Sequence, residues 1–228
     1  MYIRNMVSKK DPTIHVKNKL YRINAVREGL LSRWKRECLQ KFPLGRKFHI
    51  LYADPPWKFK TGNYAKSKSL NGLATYPTQS LEDIMAMPVE NILAETAALF
   101  IWTTSPLMYE TMKVIDSWNL KFVCVFNVWL KTYASGEPVF GTGRYSRGST
   151  EYLLLARRGS GLTKWVKSHS IRQVVAVPRL GHSEKPDIFA AIVDSIFPDP
   201  NMNKLELYAR KLRKGWSAWG LEVSAGKN

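Results

Sequence analysis

The sequence predicts an open α/β sheet, mostly parallel, with helices packed on its faces. Three observations carry that expectation. Short apolar runs recur along the chain and alternate with segments that read as helices. The first run, Phe48–Ala53, halts at a double proline, which suits a buried strand. Pairs such as Ser105-Pro106 and Lys185-Pro186 place helix starts between the runs.

Taken in order, Phe48–Ala53 is the first strand. Ser80-Leu-Glu-Asp83 resembles a capping box and opens a short helix that ends near Pro88. ALFIWT (98–103) is a second buried strand. Ser105-Pro106 opens a helix that Leu107–Trp118 continues. FVCVFNVWL (122–130) and EYLLLAR (151–157) are the third and fourth strands. Lys185-Pro186 opens a helix through Phe197, with Pro186 in its first turn. KLELYAR (204–210) is the fifth strand and GWSAWG (215–220) the sixth.

Two connections, 58–79 and 131–150, are long and rich in Lys, Gly, Ser, Thr and Tyr. Loops of that length in a compact domain are usually functional lids or mobile segments. No repeat and no low-complexity stretch is visible.

The chain of 228 residues has a globular composition, with 45% hydrophobic residues and eight tryptophans. Its formal net charge is +17. Charge of that size speaks to partners, and nucleic acid is the commonest polyanion. The alternative on charge alone is a merely soluble basic protein. Two cysteines, Cys38 and Cys124, form no disulfide framework, and no Cys/His spacing suggests a metal. No apolar run approaches ~18 residues, and the N-terminus lacks a signal-peptide stretch, so a cytoplasmic setting is expected.

Thirteen of the Lys and Arg residues, against three acids, fall in residues 1–47. This suggests a basic segment appended to a core domain at 48–228. Leu20, Ile23, Val26, Leu30, Leu31, Trp34 and Cys38 recur at helical spacing, while Arg22, Arg33, Lys35, Arg36 and Lys41 largely avoid that stripe. Such an amphipathic helix either meets phosphates with its basic face or is simply solvated there.

In an open α/β sheet, ligands sit beyond the carboxyl ends of the strands. That makes Asp54-Pro55-Pro56-Trp57 a rim element. The prolines fix φ and lack N–H groups, so they form a stiff corner whose carbonyls are expected to lack local donors. Asp54 adds an acceptor-only carboxylate, and Trp57 a flat ring. Together these suit an exocyclic amine on a stacked base. A plain turn with Trp57 in the core fits the tetrapeptide equally well.

ADPPW resembles the catalytic motif of the MT-A70 family of adenine-N6 methyltransferases. Further stretches resemble the family's blocks in their order: YPTQSLEDIMAMP (76–88), LFIWTT (99–104), GTGRYSRGSTEYLLLARRG (141–159), IRQVVAVPRLGHSEKPDIF (171–189) and KLELYARKLRKGWSAWG (204–220). The resemblance spans about residues 48–222. It implies a Rossmann-like methyltransferase that uses S-adenosylmethionine, permuted so that the catalytic corner precedes the main cofactor strand. GTGRYS fails as a dinucleotide fingerprint at Ser146, so the cofactor expectation rests on the resemblance.

The resemblance also implies roles. Asp54 and Pro55 would accept hydrogen bonds from the target amine, with Pro56 completing the corner and Trp57 stacking on or walling the base. Lys185 would face the methionine carboxylate, Glu206 the ribose hydroxyls, and Arg210 ribose or carboxylate oxygens; His182 lies close by in sequence. One departure stands out. Family members commonly read W-G-N where this chain reads Trp219-Gly220-Leu221, so Glu222 is the candidate substitute for the missing ribose contact. Lys58, Lys60, Lys66 and Lys68 in one long loop, and Arg144 and Arg147 in the other, are expected on the nucleic-acid backbone. DNA is the expected substrate and RNA the alternative. A non-catalytic subunit is a third reading, against which the intact corner speaks. The family often works as a dimer, so a homodimer or a related subunit is an expected partner.

Overall fold

The structure is a computed structural model that describes residues 41–58, 78–141, 143, 145–181 and 184–224. Strands and helices alternate through it. The strands are β1 (Phe48–Ala53), β2 (Leu93–Thr103), β3 (Lys121–Thr132), β4 (Thr150–Arg158), β5 (Val174–Pro178), β6 (Lys204–Leu207) and β7 (Ser217–Trp219). The helices are α1 (Leu81–Met85), α2 (Met108–Ser117), α3 (Asp187–Ile196) and the short α4 (Leu221–Ser224). The amphipathic helix expected within residues 1–47 lies outside the described residues.

These strands form one sheet in the order β5-β3-β4-β2-β1-β6-β7. All but one run the same way; β4 is antiparallel to both β2 and β3. The sheet is therefore mostly parallel, as a Rossmann-like methyltransferase requires. Because side chains alternate along a strand, each strand feeds two cores. Leu51, Ala53, Leu99, Ile101, Leu205 and Leu207 pack on one face with Ile84, Val114, Ile115 and Trp118. Ile50, Tyr52, Ala98, Phe100 and Trp102 pack on the other with Phe189, Val193 and Phe197. Each fully buried aliphatic or phenyl group contributes about 1.5–3 kcal/mol, so the doubly covered strands β1 and β2 anchor the fold.

Local chemistry sets the element ends. The Ser80 hydroxyl accepts the Asp83 N–H at 3.1 Å and caps α1, as its sequence predicts. Pro186 stands just before α3 rather than in its first turn as expected, without a side-chain capping hydrogen bond, and Asp187 places a negative charge in that first turn, which suits the helix dipole.

Four expectations are corrected. The fifth predicted strand stops at Leu207 because Tyr208 takes a left-handed φ of 62°, which leaves the extended backbone. The second begins at Leu93 rather than 98: Leu93 and Ala94 are buried, but exposed Glu95 and part-exposed Thr96 interrupt the apolar run that the sequence shows. β5 was not foreseen: Val174–Pro178 is a short edge strand with alternating exposure, lying in a stretch without flanking helix signals. The 131–150 connection is shorter than expected: β3 runs on to Thr132, and Tyr133 N–H to Glu137 O (2.8 Å), Val139 N–H to Lys131 O (2.8 Å) and Lys131 N–H to Ser149 O (2.8 Å) tie described residues of the remaining loop to the strand end.

Candidate active site

β1 lies between β2 and β6, parallel to both, with Ala53 opposite Ile101 and Leu207. Asp54 is therefore the first residue beyond the sheet, at its carboxyl edge. The double proline prevents the strand from continuing. The Pro55 carbonyl accepts the Trp57 N–H at 2.8 Å, and the Pro56 carbonyl accepts the Gln79 N–H at 2.9 Å. This corrects the expectation that these carbonyls lack local donors: the corner is tight enough to fold Trp57 back onto Pro55. A carbonyl oxygen has two lone pairs, so Pro55 retains one acceptor site.

Trp57 is 7% exposed, and its indole N–H donates to the Trp102 carbonyl at 3.2 Å. It packs in the core on the same side as Leu207 and Trp219. A ring so covered pins the corner, and of the two expected roles, stacking on or walling the base, its burial suits the wall. The indole is the largest apolar group of the corner, and burying it fixes the rim.

Asp54 is held by Lys185. The ammonium donates to Oδ1 at 2.9 Å and to Oδ2 at 2.8 Å, and lies 3.3 Å from Glu151 Oε2. Lys131 engages the other oxygen of Glu151. Charges thus alternate along Lys131, Glu151, Lys185 and Asp54, and the ammonium also sits 5.5 Å from the Trp102 ring centre. Burial pushes the Asp54 carboxyl up, and the Lys185 charge pulls it back only in part. Burial alone would lower Lys185, but the Asp54 and Glu151 carboxylates outweigh it and hold the ammonium above its ordinary range. Lys185 was expected to face a methionine carboxylate. Here two protein carboxylates, largely withdrawn from water, take it as their counter-ion.

Beside Asp54 a cavity of about 330 Å³ opens between the ends of β1 and β6. Tyr52, Asp54, Lys185, Glu206, Arg210 and Glu222 all line it. Glu206, on β6 opposite Tyr52, is steadied by Arg213 Nε at 3.3 Å, and Arg213 Nη1 reaches Asp187 at 3.1 Å on the first turn of α3. Burial pushes the Glu206 carboxyl up, with Arg213 opposing. The left-handed turn at Tyr208 carries Arg210 to the cavity wall. There its Nε stands 3.8 Å from Glu222 Oε1. Gly220 makes that approach possible: a Cβ there would lie 2.4 Å from the Ala209 carbonyl oxygen. Lys58 is exposed just past the corner, and Arg147 is exposed in the 139–149 turn. Lys60, Lys66, Lys68, Arg144 and His182 lie outside the described residues.

The sequence reading missed Glu151 and Arg213. Glu151 carried a signal, an acid opening an otherwise apolar strand. Arg213 carried none, being one of several cations in RKLRK.

This arrangement defines a class. A doubly covered sheet with a switch point at β1, a rigid acidic corner and a cavity lined by both charges suits an α/β enzyme that holds a small charged ligand at the carboxyl ends of its strands. The MT-A70 family profile matches residues 48–222, and the chain belongs to that family of adenine-N6 methyltransferases. It is 32% identical over 197 residues to the type II methyltransferase M.MunI of a Mycoplasma species, covering 80% of each chain. It is 29% identical over 202 residues to the N6-methyladenosine RNA methyltransferase MTA1 of Pyricularia oryzae, and 29% identical over 200 residues to the N(6)-adenine-specific methyltransferase METTL4 of Mus musculus. Those matches cover 86% and 82% of this chain but only 51% and 40% of the two relatives. Among the described residues, no helix is long and apolar enough to cross a membrane.

Proposed function

We propose that the protein is a S-adenosylmethionine-dependent methyltransferase acting on adenine N6 in DNA. The observation that carries this reading is Asp54, fixed at the rim by Lys185 and open to the 330 Å³ cavity. The preference for DNA rests on the similarity to M.MunI, which spans most of both chains.

The residues present fit S-adenosylmethionine. The group is amphoteric, and the cavity offers carboxylates at Glu206 and Glu222 for hydroxyls and ammonium, and cations at Lys185 and Arg210 for a carboxylate. When bound, the cofactor supplies an electrophilic sulfonium methyl. The chain's own residues do the rest. Asp54, held in place by Lys185, would accept one hydrogen of the target amine through a remaining lone pair. The Pro55 carbonyl accepts the other. Both bonds would favour a pyramidal nitrogen with its lone pair localised and available for transfer. Positioning and electrostatics then supply the rate, and the amine proton leaves to solvent. Lys58 and Arg147, with Lys60, Lys66, Lys68 and Arg144 from the sequence, would hold phosphates around the entrance. His182, three residues before Lys185 in HSEKP, would stand on the cofactor side.

The test offers the purified protein methyl-labelled cofactor with single-stranded DNA, duplex DNA and RNA in parallel. Nucleoside mass spectrometry should find N6-methyldeoxyadenosine. N6-methyladenosine from RNA alone would reverse the polymer, and no methylated adenine in any arm would end the enzyme reading.

A further inference from the structure

The rim continues past Lys131 into a loop whose described residues, 133–141, 143 and 145–149, display aromatic rings to water. Phe140 is 71% exposed, Tyr145 fully exposed and Tyr133 more than a third exposed. Burial would ordinarily claim such rings. Instead each end of the turn sets a guanidinium beside one: Arg147 lies 5.0 Å from the Phe140 ring centre, and Arg179 5.4 Å from that of Tyr133.

The turn is built to hold these rings outward. A Cβ at Gly141 would lie 2.0 Å from the Gly148 carbonyl oxygen, and one at Gly143 would lie 1.9 Å from that of Ser146. Only glycine allows the two limbs to close so tightly, and Tyr145 rides at the tip. At the base, the Tyr133 hydroxyl accepts the Phe140 N–H at 3.3 Å, and Arg179 N–H donates to Thr132 O at 3.0 Å. The turn is also wired to the corner, since Lys131, at the end of β3, begins the ion chain that ends on Asp54.

We propose that Tyr145 and Phe140, with Arg147, form a stacking platform for unpaired bases of the DNA strand next to the target adenine. Exposed aromatic rings interleaved with Arg are what single-stranded nucleic acid recognises: bases stack on the rings, and cations take the phosphates. A fully paired duplex has no base face to offer. The inference rests on the reading of the chain as a DNA methyltransferase and adds the state of the strand at the site.

The test is fluorescence anisotropy of the full chain on labelled oligonucleotides of one sequence, as single-stranded DNA, duplex DNA and single-stranded RNA, across a salt series. Tyr145→Ala with Phe140→Ala should weaken single-stranded DNA binding about ten-fold or more. The duplex should lose far less, and the salt slope should not change, because stacking releases no counter-ions. Tyr145→Trp with Phe140→Tyr should restore the affinity, which a loss of fold could not explain. Arg147→Ala should instead reduce the salt slope by about one. Equal losses on single strand and duplex, or no loss on either, overturn the platform. So does a loss confined to RNA, or a parent protein that does not bind single strands. Binding is read without methyl transfer. A parent that methylates DNA adenine but keeps its affinity in the double alanine variant therefore sinks the platform alone. One that makes no methyladenine yet loses affinity in that variant sinks the enzyme reading alone.

Discussion

Two stretches of the same rim are made in opposite ways. Around Asp54 charges are paired and partly withdrawn from water, with Lys185 bridging Asp54 and Glu151, and Arg213 bridging Glu206 and Asp187. Around Tyr145 rings and cations stand in solvent. The first suits a small ligand whose charges must be met one by one in a fixed cavity. The second suits a polymer, where contacts are many, interchangeable and individually weak. The difference teaches that polar precision is placed where chemistry would occur, and adaptable contact where only a strand must be held.

The sharpest break of that contrast is Asp54→Asn. It keeps the shape of the corner but puts a donor where the amine needs an acceptor. Methyl transfer should fall by about 10²–10³-fold or more, the scale of losing one preorganised electrostatic contact. DNA binding at the exposed turn should hardly move. Single-turnover methylation beside anisotropy checks both, and a loss of similar size in each would erase the distinction between the two stretches.

Lys185→Met acts next, on the fold. It leaves Asp54 and Glu151 facing each other, largely out of water, with Lys131 alone to compensate. Breaking a buried pair from one side costs about 3–5 kcal/mol; Asp54 is still 24% exposed, so the low end of that range applies. Denaturant unfolding measures it. The sign of the pH dependence follows from the direction of the shift. Lys185 is raised in the folded protein, so its contribution is present below the ordinary lysine range of about 10.4 and is lost as pH climbs above it. The wild type should lose stability in that alkaline window, and Lys185→Met should lose less there.

How much of this was legible beforehand follows from what each signal depends on. Strands such as Phe48–Ala53 and helices such as Asp187–Ile196 announce themselves through apolar spacing and a proline, which are local properties. β5 carries an apolar run, Val174–Val177, but the run is short, ends at Pro178 and has alternate residues exposed at the sheet edge, so it reads as loop until pairing with β3 fixes it. The corner was readable as a rim element, since two prolines after a strand admit little else. The partner of Lys185 was not: a lysine 131 residues from Asp54 meets it only once α3 has docked beside β1. Trp57 could be read either way from DPPW, and only the covered indole decides for the core.

Arg213→Gln sharpens the contrast within the cavity. The guanidinium lines the cavity and orients Glu206, so its loss should raise KM for the cofactor about ten-fold with a smaller effect on kcat. A pH series separates orientation from mere loss of fold. Glu206 faces Arg213, Lys211, Asp54 and Tyr52, and burial already raises its carboxyl. As a carboxylate it accepts hydroxyl donors; as an acid it loses that capacity when pH falls through its raised value. In the wild type KM should therefore begin to rise above the ordinary carboxylate range of about 4.3. In Arg213→Gln the rise should begin at still higher pH, and in Glu206→Gln that limb should vanish. Identical acid limbs in all three would remove Glu206 from the cofactor site.

The smallest expected effect concerns Leu221, where the family's asparagine is missing. The leucine starts α4 and is half buried, packing on the core beside Trp219. Glu222, the next residue, lines the cavity opposite Arg210. If Glu222 already meets the ribose, Leu221→Asn adds a redundant donor and affinity stays flat. If it does not, the new amide contributes a hydrogen bond of about 0.5–1.5 kcal/mol, a roughly two- to ten-fold tighter cofactor. Some stability is given up for the lost packing. Calorimetric titration of Leu221→Asn, Glu222→Gln and the pair decides between them. A gain in the single asparagine variant that persists in the pair assigns the ribose contact to position 221. A loss in Glu222→Gln that the asparagine rescues assigns it to Glu222 in the parent chain.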